Sequence, residues 1–527
     1  MWVSLWRRRL AVISAVIVAP FAGFLVSHRY PAWQPEALAA LSALGISAAV
    51  LAWVGRGSAL YGIVLLSGCV VATEPLQRTL APLVSAPRAA VAAALALFAV
   101  GLMVWLRERF FPLVIAFAAG AFAAHCGVTF ARPALPTVRA AHAARPDAGH
   151  VLFLVLDEHC GPAGLPPQIP ECRRAARAIE ATFLSRGFRL YPNAFSNYAS
   201  TVSSVPSLLN GRLLGRRGEF SNNELPDFYG VTHLETRPFF EVYRKRGYGI
   251  LVLQDRRISF ERSSAPAEVV DYASELASFA KARLPWTEKF AVLVGAYQAS
   301  DGWLASWKGF FPGFRFGARP LAPLAVPEDW PAWLAERVAQ APGKSLFFAH
   351  LMVSHGPYLR RRDGTIRRWG EWRDDLRYEP VSWEQYRDRY ARYAQQIEQV
   401  QSQLDDFFAR LERAGLLEAI TIVVVGDHGA RIRLRRPDRY AGHADPERYD
   451  YLGTPPVEDL LDRFSVLLAI RRRGLPAGAD LRQASALSIL KEAIYGRPAT
   501  EAETNSVFLF GSEGTPKAIP MVGIWRG

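Results

Sequence analysis

Cysteine is scarce: the 527 residues include 4, and no Cys-x-x-Cys pair occurs. That excludes a disulfide-dense scaffold, a zinc ribbon and a thioredoxin-type motif. Charge is sparse too, at 21% of residues, while half the chain is hydrophobic and the mean hydropathy is slightly positive at +0.06. Disordered chains, coiled coils and collagens do not have this composition. Acidic residues are fewer than basic ones, 48 against 62, which leaves a net charge of +14 and a pI near 9.8. Nucleic acid, an anionic membrane surface or an anionic substrate would each suit such a surplus. The length calls for at least two domains.

Asp, Glu, Lys and Arg are absent from five successive stretches near the N-terminus: 10–27, 37–55, 57–73, 89–106 and 110–131. Each is long enough for a helix across a hydrocarbon core about 30 Å thick, which takes roughly 17–25 residues. Arg7, Arg8 and Arg9 precede the first stretch as in a signal peptide, but no small-residue cleavage site is evident and four more stretches follow. The expectation is an uncleaved five-helix bundle over 1–131. Arg7–Arg9, Arg56, Arg107 and Arg109 fall on one side, against Arg29, Arg78 and Arg88 on the other. The bias puts the N-terminus inside and everything after Arg132 outside, in a periplasm or its equivalent. Nucleic acid is thereby excluded as a partner. His125, inside the fifth stretch, reads as a helix-packing histidine or an ionisable functional group.

A linker rich in Ala, Arg and Pro covers 132–149, and from 150 to 527 the pattern changes. Short unbroken apolar runs at 151–156, 248–253, 345–350 and 419–425 read as buried strands. Helical patterns at 171–186, 236–246 and 384–414 separate them, which predicts a doubly wound, mostly parallel α/β sheet. Ligands bind at the carboxyl ends of such strands. Asp157 and Glu158 end the first run, His350 and His355 lie at the third, and Asp427 and His428 follow the fourth. One polar strand end is unremarkable, since strand ends face solvent. Three strands delivering carboxylate and imidazole to one edge point to a divalent cation, zinc or manganese. A hydroxyl-dense stretch at 196–211 leads into a short apolar helix; by itself it reads as an N-cap region, and beside a dication also as a phosphate site with an activated hydroxyl.

These motifs resemble the alkaline-phosphatase/sulfatase superfamily, and within it the membrane-anchored phosphoethanolamine transferases and, more loosely, the lipoteichoic acid synthases. The pattern covers 150–470, and the five-helix anchor is similar as well. Thr201-Val-Ser-Ser-Val-Pro206 matches the transferases' Thr-x-x-Ser-Val-Pro, with Thr as nucleophile. His350 with Ser354-His-Gly-Pro357, and Asp427-His428-Gly429, match two further segments in order. The acidic metal ligand after the first strand falls on Asp157, with Glu158 beside it. The resemblance implies a cation held by Asp157, Asp427, His428 and Thr201, with Glu158, His350 and His443 available to a second metal or to substrate. A sulfatase would need Arg where Leu208 follows Ser204-Val-Pro-Ser207. Cys69 and Cys126 lie within spans, so Cys160 and Cys172 are the cysteines left outside, and they are expected to pair.

The resemblance implies a metal-dependent enzyme that moves a phospho-substituent from a membrane phospholipid to a glycan or glycolipid. Thr201 would form a phospho-threonine, and His355 would bind the phosphate or protonate the leaving oxygen. Two basic loops, 360–368 and 431–436, could steer anionic headgroups or simply be solvated. The alternatives are a membrane-tethered sulfatase or phosphodiesterase whose acceptor is water, and an inactive scaffold in envelope-polymer assembly.

Overall fold

The computed structural model describes residues 30–54 with scattered positions in 10–26, and then 149–219, 221, 232–255, 258–260, 268–272, 279–280, 282–299, 326–372, 382–433, 456–510 and 514–521. The chain divides into two compact units, one formed by 1–133 with 274–321 and the other by 134–273 with 322–527.

In the first unit the second expected span forms the helix Pro35–Val54, and Trp286–Ala299 forms another. Tyr297 stacks edge-on against Phe21 and Phe24, with ring centroids 5.0 and 5.2 Å away. Such edge-to-face pairs add about 0.5–1.5 kcal/mol beyond area burial. The third, fourth and fifth expected spans, with His125, Cys69 and Cys126, lie outside the described residues. Among the described residues no helix is long and apolar enough to cross a membrane.

The second unit is built on an eight-stranded sheet. Its elements in chain order are β1 (Val151–Leu156), α1 (Pro170–Leu184), β2 (Arg189–Leu190), α2 (Thr201–Asn210), α3 (Arg237–Lys245), β3 (Gly249–Asp255) and β4 (Glu268–Tyr272). They continue with α4 (Trp330–Ala339), β5 (Ser345–Leu351), α5 (Trp383–Arg413), β6 (Thr421–Gly426), α6 (Val457–Phe464), β7 (Leu468–Arg471) and β8 (Gly478–Ala479). The order across the sheet is β8-β2-β7-β6-β1-β5-β3-β4. The strands β6, β1, β5, β3 and β4 run parallel, as the apolar runs predict. The strand β7 is antiparallel to both β6 and β2, so the sheet is mixed.

Every side chain of β1 is buried, and the two faces alternate. Leu152, Leu154 and Leu156 pack with residues of α1, α4 and α5; Val151, Phe153 and Val155 pack with residues of α2 and α3. Helices therefore cover both faces, and this is why a charge-free run can sit here. Each such side chain contributes about 1.5–3 kcal/mol relative to exposure. The 31-residue helix α5 starts at a capping box, in which the Ser382 hydroxyl accepts from the Gln385 backbone and the Gln385 side chain accepts from the Ser382 backbone.

The sheet register creates the site. Leu156 lies opposite Gly426 on β6 and Leu351 on β5, so Asp157 and Asp427 leave adjacent parallel strands side by side. The turns that follow are tightly packed. A Cβ on Gly426 would lie 2.1 Å from the His159 carbonyl oxygen, and one on Gly429 2.2 Å from that of Asp462. Both positions require glycine for close backbone approach.

Candidate active site

Asp157, His350, Asp427 and His428 are essentially inaccessible to solvent. Thr201, the first residue of α2, places its Oγ1 3.4 Å from both Asp157 Oδ2 and His428 Nε2. Ser200 occupies the N-cap position without its hydroxyl capping the helix, so the hydroxyl-dense stretch is more than a cap. Ser204 lies one turn further in. It is buried, and its Oγ has no hydrogen-bond partner. Of the two competing hydroxyls, only Thr201 is shown beside the carboxylates and imidazole.

The donor set fits a divalent cation. Asp427 Oδ1 accepts two backbone N–H groups, from Glu158 at 3.0 Å and His428 at 2.9 Å, while its Oδ2 and the Oδ1 of Asp157 are buried without a hydrogen-bond donor. His428 Nε2 stands 3.4 and 3.6 Å from those two oxygens. The Nδ1 of His428 donates to the Gly429 carbonyl oxygen at 2.9 Å, which turns Nε2 toward the carboxylates. Two bare carboxylate oxygens converging in a buried space repel one another unless a cation lies among them. Burial pushes the Asp427 carboxyl above its ordinary range, and the neighbouring Asp157 adds to that. Burial would raise Asp157 as well, but the His355, His350 and His428 imidazoles outweigh it and hold its carboxyl far below the usual range.

Behind Asp157, His350 Nε2 lies 3.4 Å from Oδ2. Burial lowers its pKa, and Asp157, Asp427 and Asp255 reverse the shift and raise it. The loop after β5 holds the Asp157 backbone and the Glu158 side chain at the end of β1. Ser354 donates to the Asp157 carbonyl at 2.7 Å, and the Gly356 N–H donates to Glu158 Oε2 at 2.8 Å. His355 turns Nδ1 to the Gly356 carbonyl and leaves Nε2 3.6 Å from Glu158 Oε1. Glu158 Oε1 also pairs closely with Arg431. Both oxygens of Glu158 are thus engaged, unlike those of Asp157 and Asp427. His443 and 434–436 lie outside the described residues.

In the other basic loop the arginines pair with carboxylates, although the Arg362 side chain stays 71% exposed. Arg360 pairs with Glu328 at 3.1 Å, Arg361 with Glu371 at 2.7 Å, and Arg362 with Glu398 at 3.0 Å. The expected disulfide is absent: Cys160 and Cys172 are free, buried thiols. Cys172 Sγ is directed at the Tyr390 carbonyl oxygen, 3.8 Å away. The backbone of Cys160 is held by Tyr393. Burial pushes the Cys160 thiol up to about 12.

The sequence pattern gave no warning of the polar ridge of α5. Tyr390, Tyr393 and Gln396 recur at helical spacing on its buried face. Tyr390 donates to Asp462 Oδ1 at 2.6 Å, and Tyr393 donates to the Glu158 carbonyl at 2.6 Å while accepting from Cys160 N–H at 2.9 Å. Gln396 donates to the His355 carbonyl at 3.1 Å. One helix face therefore grips the loops after β1 and β5, and through Asp462 the loop after β6, since Asp462 O accepts from Arg431 N–H at 3.1 Å. Tyrosine and glutamine recurring every third position, at 390, 393 and 396, was the available signal.

A doubly wound sheet with carboxylates, imidazoles and a helix-initiating hydroxyl at its carboxyl edge defines an enzyme that cleaves or transfers tetrahedral ester groups. The sulfatase family model matches residues 173–454, more than half of the chain, and the chain belongs to that family. The match spans Thr201, His350, His355, Asp427 and His428 and begins downstream of Asp157.

Solved structures similar to the chain include a phosphonate monoester hydrolase of Agrobacterium radiobacter, with 16% identity over 68% of this chain and 80% of that one, TM-score 0.36. A protein in the alkaline phosphatase superfamily from Vibrio parahaemolyticus shares 12% identity over 73% and 85%, TM-score 0.35. The C-terminal periplasmic domain of EptC from Escherichia coli, in complex with zinc, shares 12% over 66% and 82%, TM-score 0.34. No curated protein matches the sequence.

Proposed function

We propose that the protein is a membrane-anchored transferase that moves a phospho-substituent, phosphoethanolamine or a similar headgroup, from a phospholipid to an envelope glycan or glycolipid. The observation that carries this reading is the placement of Thr201 against Asp157 and His428, with Ser204, the residue a formylglycine enzyme would convert, buried one turn away. A threonine hydroxyl needs no modifying enzyme to serve as nucleophile.

Asp157, Asp427 and His428 would hold a divalent cation, zinc or manganese, which lowers the hydroxyl pKa and offsets charge on the phosphoryl oxygens. Thr201 Oγ1, oriented by its hydrogen bond to Asp157 Oδ2 at 3.4 Å, attacks phosphorus and releases its proton to solvent. His355, whose side chain is 22% exposed and whose Nε2 is turned from its own backbone, protonates the departing glyceryl oxygen. Diacylglycerol leaves, and the acceptor hydroxyl then displaces the phosphoryl group from Thr201. The five charge-free stretches support a lipid donor, because such a substrate is met at a bilayer surface. With the N-terminus inside, they put 132–527 in the periplasm.

The test uses the full chain in detergent with a phosphatidylethanolamine carrying a fluorescent acyl chain. Fluorescent diacylglycerol should appear in an acceptor-dependent manner, and envelope glycans or lipids from cells containing the protein should gain the mass of the transferred group. Turnover of soluble esters with water alone, and no lipid product, would favour the hydrolase instead.

A further inference from the structure

In chain order the stretch 274–321 lies between β4 and α4, and in space it groups with the N-terminal residues 1–133. Its helix Trp286–Ala299 packs beside the helix Pro35–Val54, and Tyr297 closes over Phe21 and Phe24 of the first charge-free stretch. The buried face carries Val292, Leu293 and Tyr297, and Lys289 in the first turn bends back to donate to the Ala280 carbonyl at 2.6 Å. From 290 to 299 the helix has no charged residue. On its partner the one charge, Glu36, is buried and accepts from Tyr30.

The outward faces are apolar as well. Among the described residues, six of the twelve large apolar side chains left exposed belong to this unit: Trp33, Leu38, Ile46, Val50, Trp53 and Trp286. A helix that faces water shows charge on its exposed side, as α5 does with Glu384, Arg387, Asp388 and Asp406. In sequence the stretch continues with Trp303 and Trp307 among Lys308, Arg315 and Arg319, the aromatic and basic mixture of a membrane interface.

We propose that the helix Trp286–Ala299 is a second membrane anchor, embedded in phospholipid beside Pro35–Val54 and supplied from between β4 and α4. The inference rests on the membrane-anchored part of the transferase reading and adds a lipid contact outside the five charge-free stretches. Exposed apolar surface of this extent needs a non-aqueous neighbour, and a protein partner would have to cover the outer faces of both helices to provide one. The stretch starts directly after β4, whose last residue, Tyr272, donates to the His350 carbonyl at 2.6 Å. A strand that supports the site is thereby joined covalently to the lipid-held helix.

The test reconstitutes the full chain into vesicles of phosphatidylethanolamine and phosphatidylglycerol that contain a phospholipid with a diazirine on its acyl chain. After illumination, peptide mass spectrometry should find lipid adducts within 290–299 and on peptides from 37–55, and none on α1. Ala291→Cys and Ala181→Cys place thiols at two exposed helical alanines, one in each unit, with little added bulk. A water-soluble maleimide should modify position 291 about tenfold more slowly than 181, because lipid keeps a thiol protonated and excludes the reagent. Adducts within 10–131 but none within 290–299 would overturn the proposal and leave the N-terminal anchor standing; adducts in neither would remove both. Protection of position 291 without a lipid adduct would mean that protein covers the helix, and equal labelling rates would mean that water does. Either result overturns the proposal.

Discussion

Tyr393→Phe is the sharpest probe of how the site is held. The substitution removes one oxygen and nothing else, but that oxygen donates to the Glu158 carbonyl at 2.6 Å and accepts from the Cys160 N–H at 2.9 Å, in a fully buried position. Two backbone groups are left without partners where water cannot replace them. Each costs about 1–3 kcal/mol, so the loss should be about 2–6 kcal/mol, a large share of the 5–15 kcal/mol typical of a folded domain. Tyr495→Phe is the control, since its hydroxyl makes a single bond, to the Leu208 carbonyl at 3.1 Å, and should cost roughly 1 kcal/mol. Urea unfolding of the full chain in detergent, followed by circular dichroism, gives both numbers. Turnover should fall with Tyr393→Phe as well, because Glu158 loses one of the two backbone bonds that hold it in the left-handed region. A cost below about 1 kcal/mol, or equal costs for the two variants, would refute the idea that α5 fixes the site loops.

Thr201→Ala should abolish turnover and leave the fold intact by circular dichroism; Ser204→Ala should leave turnover nearly unchanged, because the Ser204 hydroxyl is buried and makes no hydrogen bond. Chelation should remove activity and lower the unfolding temperature, and Asp427→Asn should reduce bound metal measured by mass spectrometry; full activity after chelation would contradict the metal assignment. Burial pushes the Asp462 carboxyl up to about 6 from an ordinary value of 3.8. The folded state therefore binds this proton more tightly, and the stability it contributes is complete below the ordinary value and lost as pH rises through about 6. Relative to Asp462→Asn, the wild type should lose about 2 kcal/mol between pH 4 and 7, and a flat difference would count against it. Cys160 and Cys172 should react with a thiol reagent only after unfolding and without reductant, as read by peptide mass spectrometry at these two positions among the four cysteines; failure to label them in the unfolded, unreduced protein would restore the disulfide.

How far local pattern reaches is clear from β1. Six apolar residues followed by Asp157-Glu158 can only be a strand buried on both faces that ends at a polar edge, and β3, β5 and β6 follow the same logic. The arrival of Asp157, His350 and Asp427-His428 at those strand ends was likewise readable, because a parallel sheet sends every such end to one side, whereas Thr201 stood out from its hydroxyl-dense stretch only through the resemblance. What chain order cannot carry is which distant side chains share a hydrogen bond. Arg431 looked like one of several arginines in a basic loop, yet it is the partner of Glu158, 273 residues away. Tyr393 and Gln396 read as parts of a helical face, and only the packing of α5 over the sheet turns them toward the site backbone. Cys160 and Cys172 were matched by compartment and spacing, whereas Cys172 Sγ faces a backbone carbonyl. Periodicity is fixed by the geometry of a single element and is written in the sequence. Pairing across elements depends on register and layer packing, and those are settled when the chain closes on itself.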